Sequence, residues 1–265
     1  MGVFCEKTKT LYFTCGNAEE IRQSKKFLPE GSSDTLIVDM LFSGTEVTAS
    51  GNLPHWKNYN ISTIVIESSF ASVRPTSCKN WFNIPTLTDI QGIENLNTSE
   101  VTNMSYMFSA CGISTLDLSN FNTEKVTNMN NMFVSCTALT TLDLSSFDTR
   151  KVTDMSFMFA RCSNLVSIII GDGWDTSSVT SSNYMFNQCF SIVGYDGTTI
   201  CQPEWDKTRA HAGTGGYMCK YNPFAVYCTD NNTLFFTYYH RPINSGDTFI
   251  PYGSTTTITV SNVWS

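Results

Sequence analysis

The feature that most restricts this chain is a motif that returns at nearly constant spacing. Val-Thr-x-Met-x-x-Met-Phe occurs at Val101–Phe108, Val126–Phe133 and Val152–Phe159, with a worn copy at Val179–Phe186. Three residues after each Phe stands a cysteine: Cys111, Cys136, Cys162 and Cys189. A second signature, Ile61-x-x-Ile64, Leu87-x-x-Ile90, Ile113-x-x-Leu116, Leu139-x-x-Leu142 and Leu165-x-x-Ile168, recurs every 26 residues. Each copy leads to an apolar anchor: Phe70, Leu96, Phe121, Phe147 and Trp174. A period of this length belongs to stacked repeats, in which one unit alone cannot bury its apolar side.

Each unit reads as a short strand, a turn, an anchor and one or two helical turns. Leu116-Asp117-Leu118 alternates with period two, which points both leucines inward and the aspartate outward. Met104, Met107, Phe108 and Cys111 are spaced i, i+3, i+4, i+7, which predicts one face of a short helix. The expected fold is α/β: a right-handed solenoid of leucine-rich-repeat type, its strands forming a parallel sheet. Residues 59–220 are assigned to the solenoid and its C-terminal cap, and residues 1–58 to an N-terminal hairpin and cap. Residues 221–265 are assigned to a second hairpin and β segment.

The string Leu-Asp-Leu-Ser-x-Phe-Asp/Asn-Thr-x-x-Val-Thr-x-Met-x-x-Met-Phe-x-x-Cys resembles the 26-residue repeat of BspA-like leucine-rich-repeat bacterial surface proteins, also described as a mycoplasma/Listeria-type lipoprotein repeat. The likeness covers about residues 60–220. It implies a solenoid, an extracellular or cell-surface location, and for some members adhesion to host or bacterial surfaces. It implies no reaction and carries no binding residues across. Ile168-Ile169-Ile170-Gly171-Asp172-Gly173-Trp174 departs from the repeat, as expected where an array ends.

The ends of such an array need covering. Val3-Phe4-Cys5 and Thr10-Leu11-Tyr12-Phe13-Thr14 align without gaps with Val226-Tyr227-Cys228 and Thr233-Leu234-Phe235-Phe236-Thr237, and both pairs read as β-hairpins. The first is expected to cap the array; the second reads as the opening of a further module. Thr35–Leu41 fits either helix or strand.

Composition narrows the function. Sixteen Lys+Arg against 23 Asp+Glu give a net charge of −7, which disfavours nucleic acid and anionic membranes as partners. No apolar run is long enough to span a membrane, and Met1–Cys5 does not read as a signal peptide. An extracellular life would therefore require a targeting segment and anchor that this sequence does not show. Ten cysteines occur without any C-x-x-C, so no zinc ribbon is predicted. The four repeat cysteines and the repeat methionines read as core, and a Cys201–Cys219 bridge is left open. No cofactor or metal is expected. Asp117 and Asp143 fall one rung apart and read as surface acids rather than a calcium site.

The outward strand positions form the expected binding face: Thr63, Val65 and Glu67; Thr115, Asp117 and Ser119; Thr141, Asp143 and Ser145; then Ser167 and Ile169, with Gly171 beside them. Five adjoining strands would make a face about 20 Å long, suited to a peptide or short glycan. The expected function is a non-enzymatic module that binds a host or bacterial surface protein or glycan. The competing readings are a spacer that displays other domains and an enzyme centred on His55 or His211; His240 also lies outside the repeats.

Overall fold

A computed structural model of the protein describes residues 1–38, 40–42, 56, 59–194, 199, 206–212, 215–219, 222–228, 233–239, 248–249, 258–259 and 262–264, with backbone alone at 41–42 and beyond 219. The chain opens with a hairpin of β1 (Gly2–Cys5) and β2 (Thr10–Phe13), in which Val3 faces Tyr12 and Cys5 faces Thr10. Lys9 closes its turn at φ 54°. Helix α1 (Ala18–Ser24) follows, capped by Asn17, whose side chain accepts from the Glu19 and Glu20 N–H groups. It stops where Lys25 turns left-handed, at φ 52°. A small hairpin, β3 (Lys26–Phe27) with β4 (Leu36–Ile37), precedes β5 (Met40–Phe42), which pairs antiparallel with β1. Within the ambiguous Thr35–Leu41 stretch, Leu36–Ile37 and Met40–Leu41 are strand, and Asp39 lies outside the described residues.

The opener is bonded directly to the repeats. Strand β6 (Thr63–Ile66) lies parallel to β2, with Thr10 beside Thr63 and Phe13 beside Ile66. Strand β7 (Asp89–Gln91) lies parallel to β6. Behind this edge Phe13, Trp56, Phe70, Trp81 and Phe82 pack ring against ring, and the Trp56 indole N–H donates to the Trp81 carbonyl at 3.0 Å. Large aromatic rings at this end remove the apolar surface that the first repeat would otherwise expose. Strands β8 (Thr141–Leu144) and β9 (Ser167–Ile170) pair parallel, Leu142 beside Ile168.

Each repeat bonds mainly to its neighbours. Ser77, Asn103, Asn128, Asp154 and Ser181 form an unbroken run of parallel bridges. From Met104 onward alternate N–H groups cross to the next repeat: Met104, Tyr106, Phe108 and Ala110 donate to the carbonyls of Asn128, Asn130, Met132 and Val134 at 2.8–2.9 Å. The N–H groups between them, of Met107, Ser109 and Cys111, close turns on carbonyls three residues back.

This arrangement corrects the expected helix. Tyr106 and Ala110 have φ of 59° and 57°, and the pairs Asn131/Ser135, Phe157/Arg161 and Tyr184/Gln188 repeat the pattern. A left-handed residue at every fourth position is incompatible with a helix and produces a chain of β-turns. Such a chain returns its side chains at the same three-and-four spacing. Met104, Met107 and Phe108 are accordingly 0% exposed, although no helix exists there. Among the described residues α1 is the sole α-helix.

The side chains stack as columns. Phe108, Phe133, Phe159 and Phe186 lie 5.5–5.9 Å apart, centroid to centroid, nearly parallel. Cys136, Cys162 and Cys189 donate S–H to the carbonyls of Phe108, Phe133 and Phe159 in the preceding repeat, at 3.0, 2.9 and 2.7 Å. A third column consists of buried threonines. Thr98 Oγ1 donates to Asn122 O and accepts from the same residue's N–H; Thr123 does so with Asp148, and Thr149 with Asp175. The Asp/Asn-Thr pair of the motif is thereby explained. Its Asx side chain turns the chain by accepting from the N–H two residues on, as Asn122 does from Glu124. Its threonine joins two repeats through the core without leaving a polar atom unpaired.

At the far end Cys219 pairs parallel with Ile169, and Tyr217 and Met218 are fully buried. Cys219 is a buried free thiol; Cys201 lies outside the described residues. The last strands are β10 (Asn222–Cys228), β11 (Thr233–Tyr239), β12 (Thr248–Phe249), β13 (Ile258–Thr259) and β14 (Asn262–Trp264). They form one sheet in the order β11-β10-β14 and a β12–β13 pair.

Candidate binding cleft on the sheet face

The row of strands is interrupted. Five adjoining strands are expected at Ile64, Ile90, Leu116, Leu142 and Ile168, yet the third, Thr115–Leu118, forms no strand. Residues 113–117 make no backbone hydrogen bond to β7 on one side or to β8 on the other. The cause is one missing residue. From Cys136 to Leu139 and from Cys162 to Leu165 there is room for a turn, and the Leu139 and Leu165 N–H groups close it on the cysteine carbonyls at 3.3 and 3.1 Å. Cys111-Gly112-Ile113 is one residue shorter. Instead Gly112 N–H bonds to Leu87 O at 2.8 Å, and further on the Asn120 side chain donates to the Ile93 and Glu94 carbonyls. Between these two clamps the segment leaves the ladder.

A cleft of about 490 Å³ opens beside it, lined by Thr88, Asp89, Ile90, Ile93, Ile113, Thr115, Leu116 and Asp117. Ile93 and Ile113 are buried in its floor, Ile90 and Leu116 are half-buried, and Asp89 and Asp117 are exposed at its rim. Asp117 accepts from Ser119 N–H at 3.0 Å. This bond, with the Ser119 hydroxyl, holds its carboxyl below the usual carboxylate range. The Asp89 carboxylate accepts from the Gln91 side chain at 2.7 Å. A few polar groups above an apolar floor suit a small or narrow ligand.

The expected binding residues divide into two groups. Thr115, Asp117, Ser119, Thr141 and Ser145 are exposed and Asp143 is half-buried, so these lie together on one accessible face. Thr63 and Val65 are half-buried, and Glu67 is buried, its carboxylate accepting from Glu30 N–H at 2.7 Å. Ser167 and Ile169 are also buried, because Cys219 lies along β9: Ile170 N–H donates to Cys219 O, and Cys219 N–H to Ile168 O. Glu67, Ser167 and Ile169 are thus withdrawn from the accessible face, which is shorter than expected. Thr88, Asp89 and Ile90 join it, and sequence reasoning passed over them. Their signal was the 25-residue spacing from Val101 to Val126 in a series otherwise at 26 and 27.

His211 is exposed, while His55 and His240 lie outside the described residues. Among the described residues no cluster of His, Cys, Asp and Glu has the arrangement of a metal site. No helix there is long and apolar enough to cross a membrane.

Several of the buried thiols are poor acids. Loss of water raises the pKa of Cys78 and Cys189, and hydrogen bonds to the Cys111 and Cys162 thiols, together with burial, raise that of Cys136. Cys15 is exposed. In native protein at pH 8 a thiol reagent followed by peptide mass mapping should modify Cys15 at once. Cys78, Cys136, Cys162 and Cys189 should react only with unfolding; rapid labelling of Cys136 in folded protein would contradict the packed column.

Residues 76–194 match the family described as a mycoplasma protein of unknown function, DUF285. The match takes in the bridge-forming Ser77, all four Val-Thr motifs and both sides of the cleft. No curated protein and no solved structure matches the chain.

Proposed function

We propose that this protein is a non-enzymatic binding module of a secreted or cell-surface protein, built on a right-handed leucine-rich-repeat-type solenoid. Its cleft takes a short segment of a host or bacterial surface protein or glycan. The observation that carries this reading is the rung that leaves the ladder: it interrupts an otherwise regular array and opens an apolar-floored cleft between two carboxylates. The parallel bridges, the repeat columns and the likeness to BspA-like surface proteins support the architecture. The paired carboxylates Asp89 and Asp117 favour a ligand bearing an amino or guanidino group.

Two variants test this on a panel of immobilised matrix proteins and surface glycans. Inserting one serine between Gly112 and Ile113 restores the turn of the later repeats. It should draw Thr115–Leu118 into the ladder, close the cleft, raise the melting temperature and abolish any hit. Asp89→Lys combined with Asp117→Lys should weaken a hit by roughly tenfold or more while leaving stability within about 0.5 kcal/mol, since both side chains are exposed. Undiminished capture by both variants would exclude the cleft as the binding site. Asp117 also sets the pH response. Its carboxyl is held below the usual carboxylate range by the Ser119 N–H and hydroxyl, so it gives up its charge at a lower pH than an ordinary aspartate. Capture of a cationic ligand should therefore weaken on acidification, and Ser119→Ala should move that loss to higher pH.

A further inference from the structure

Among the described residues, the strands of 222–264 repeat those of 2–42 in order. Strands β10 and β11 pair with Val226 facing Phe235 and Cys228 facing Thr233. Strands β1 and β2 pair with Val3 facing Tyr12 and Cys5 facing Thr10. Each of the four pairs of the first hairpin has a counterpart 223 places later in the second. On the outer edge of β1 lies β5, antiparallel; on the outer edge of β10 lies β14, also antiparallel. The small hairpins coincide as well, 222 places apart: Lys26 faces Ile37 and Phe27 faces Leu36, while Thr248 faces Thr259 and Phe249 faces Ile258.

The residues agree with the geometry. Phe27, Pro29, Gly31, Ser32, Thr35 and Val38 are matched by Phe249, Pro251, Gly253, Ser254, Thr257 and Val260. Gly31 sits at φ 75°, a conformation that favours glycine, and Gly253 occupies the same place in the sequence. At the position of left-handed Lys9 the second hairpin has Asn232, a residue that tolerates that conformation.

One difference remains. In the first copy the free edge of β2 is covered by β6, the first strand of the repeat array, in parallel register. The sheet of the second copy ends at β11, which has β10 on one side and no strand on the other among the described residues. Its sequence, Thr-Leu-Phe-Phe-Thr-Tyr-Tyr, has no charge and no proline. Natural proteins cover or blunt edges of this kind, because they pair with whatever strand is offered.

We propose that residues 222–264 are a second copy of the opener and that the edge of β11 is the docking edge for the first strand of a second repeat array, laid parallel as β6 lies on β2. A second copy of this chain cannot supply that strand, since its own β6 is already seated on its own β2. The inference rests on the duplicated registers and is independent of the cleft.

Hydrogen exchange tests it on the full chain and on the same chain extended after Ser265 by its own residues 43–220. In the full chain, β11 amides should exchange roughly tenfold or more faster than the aligned β2 amides. In the extended chain they should slow to the β2 level, and the added repeats should resist protease. A control extension carrying residues 1–42 in place of 222–264 establishes that the added repeats fold on the first opener. Phe236→Pro in the extended chain should release the added array while residues 59–194 melt unchanged. The proposal fails if β11 exchange is unaltered by an extension that folds in the control. It fails equally if β11 is already as protected as β2 in the 265-residue chain, whether as a monomer or as a dimer that loses protection on dilution.

Discussion

Phe133→Ala should destabilise the array by about 3–5 kcal/mol, the cost of removing a buried aromatic ring without filling the space. Phe133 is fully buried and stacks on Phe108 at 5.6 Å and Phe159 at 5.9 Å, so the substitution interrupts the ring column on both sides. In repeat proteins a central defect also uncouples the halves, since each unit contacts only its neighbours. Urea unfolding should show the loss together with a broadened or split transition. Phe133→Leu, which retains most of the volume, should cost clearly less. Equal losses for the two variants would mean that ring-on-ring stacking, rather than the volume occupied, carries the stability of the column.

Thr149→Val should cost about 2–5 kcal/mol although it changes almost no volume. The Thr149 hydroxyl donates to Asp175 O at 2.8 Å and accepts from Asp175 N–H at 2.7 Å, at a site that is 0% exposed. Valine removes the partner of both the Asp175 N–H and its carbonyl, at roughly 1–3 kcal/mol for each group left unpaired. Thr149→Ser keeps the hydroxyl and should recover most of the difference. The contrast with Thr153 is diagnostic. That residue also donates to the preceding repeat, to Thr127 O at 3.1 Å, but it is exposed, and water can replace the bond. Thr153→Val should therefore stay within about 0.5 kcal/mol. Similar effects at the two positions, measured by chemical denaturation, would refute a buried threonine column.

What was legible in the sequence was the interior. Every repeat position read as core in the Met/Phe/Cys register is buried, because burial depends on the spacing of side chains, and that spacing survives a change of backbone. The backbone itself was not legible there. A run of β-turns with a left-handed residue at every fourth place repeats its faces as a helix does, and Tyr106, Ala110, Phe157 and Arg161 are not residues whose types announce positive φ. The alternation of Leu142-Asp143-Leu144 correctly separated inside from outside, with both leucines buried. Applied to Leu116-Asp117-Leu118 the same alternation failed at Leu116, which is half-buried, because one residue is missing upstream. The exposed face was also overdrawn at both ends. Alternation cannot show that Cys219 lies along β9 or that Glu30 reaches Glu67; those contacts come from segments with no period. The duplicated opener was visible at the hairpins, but its agreement through Val260 emerged only once the strand registers could be compared.

The bonds that join repeats run along the stacking direction, and this has a mechanical consequence. A pull applied to the two ends of the array loads those bonds one rung at a time, like a zip, instead of shearing many together. Units should therefore peel away singly from an end at modest force. Each released unit would extend from about 4.8 Å of stack height to roughly 90 Å of chain, so the array would lengthen in steps and take up sudden tension while the remaining repeats stayed folded.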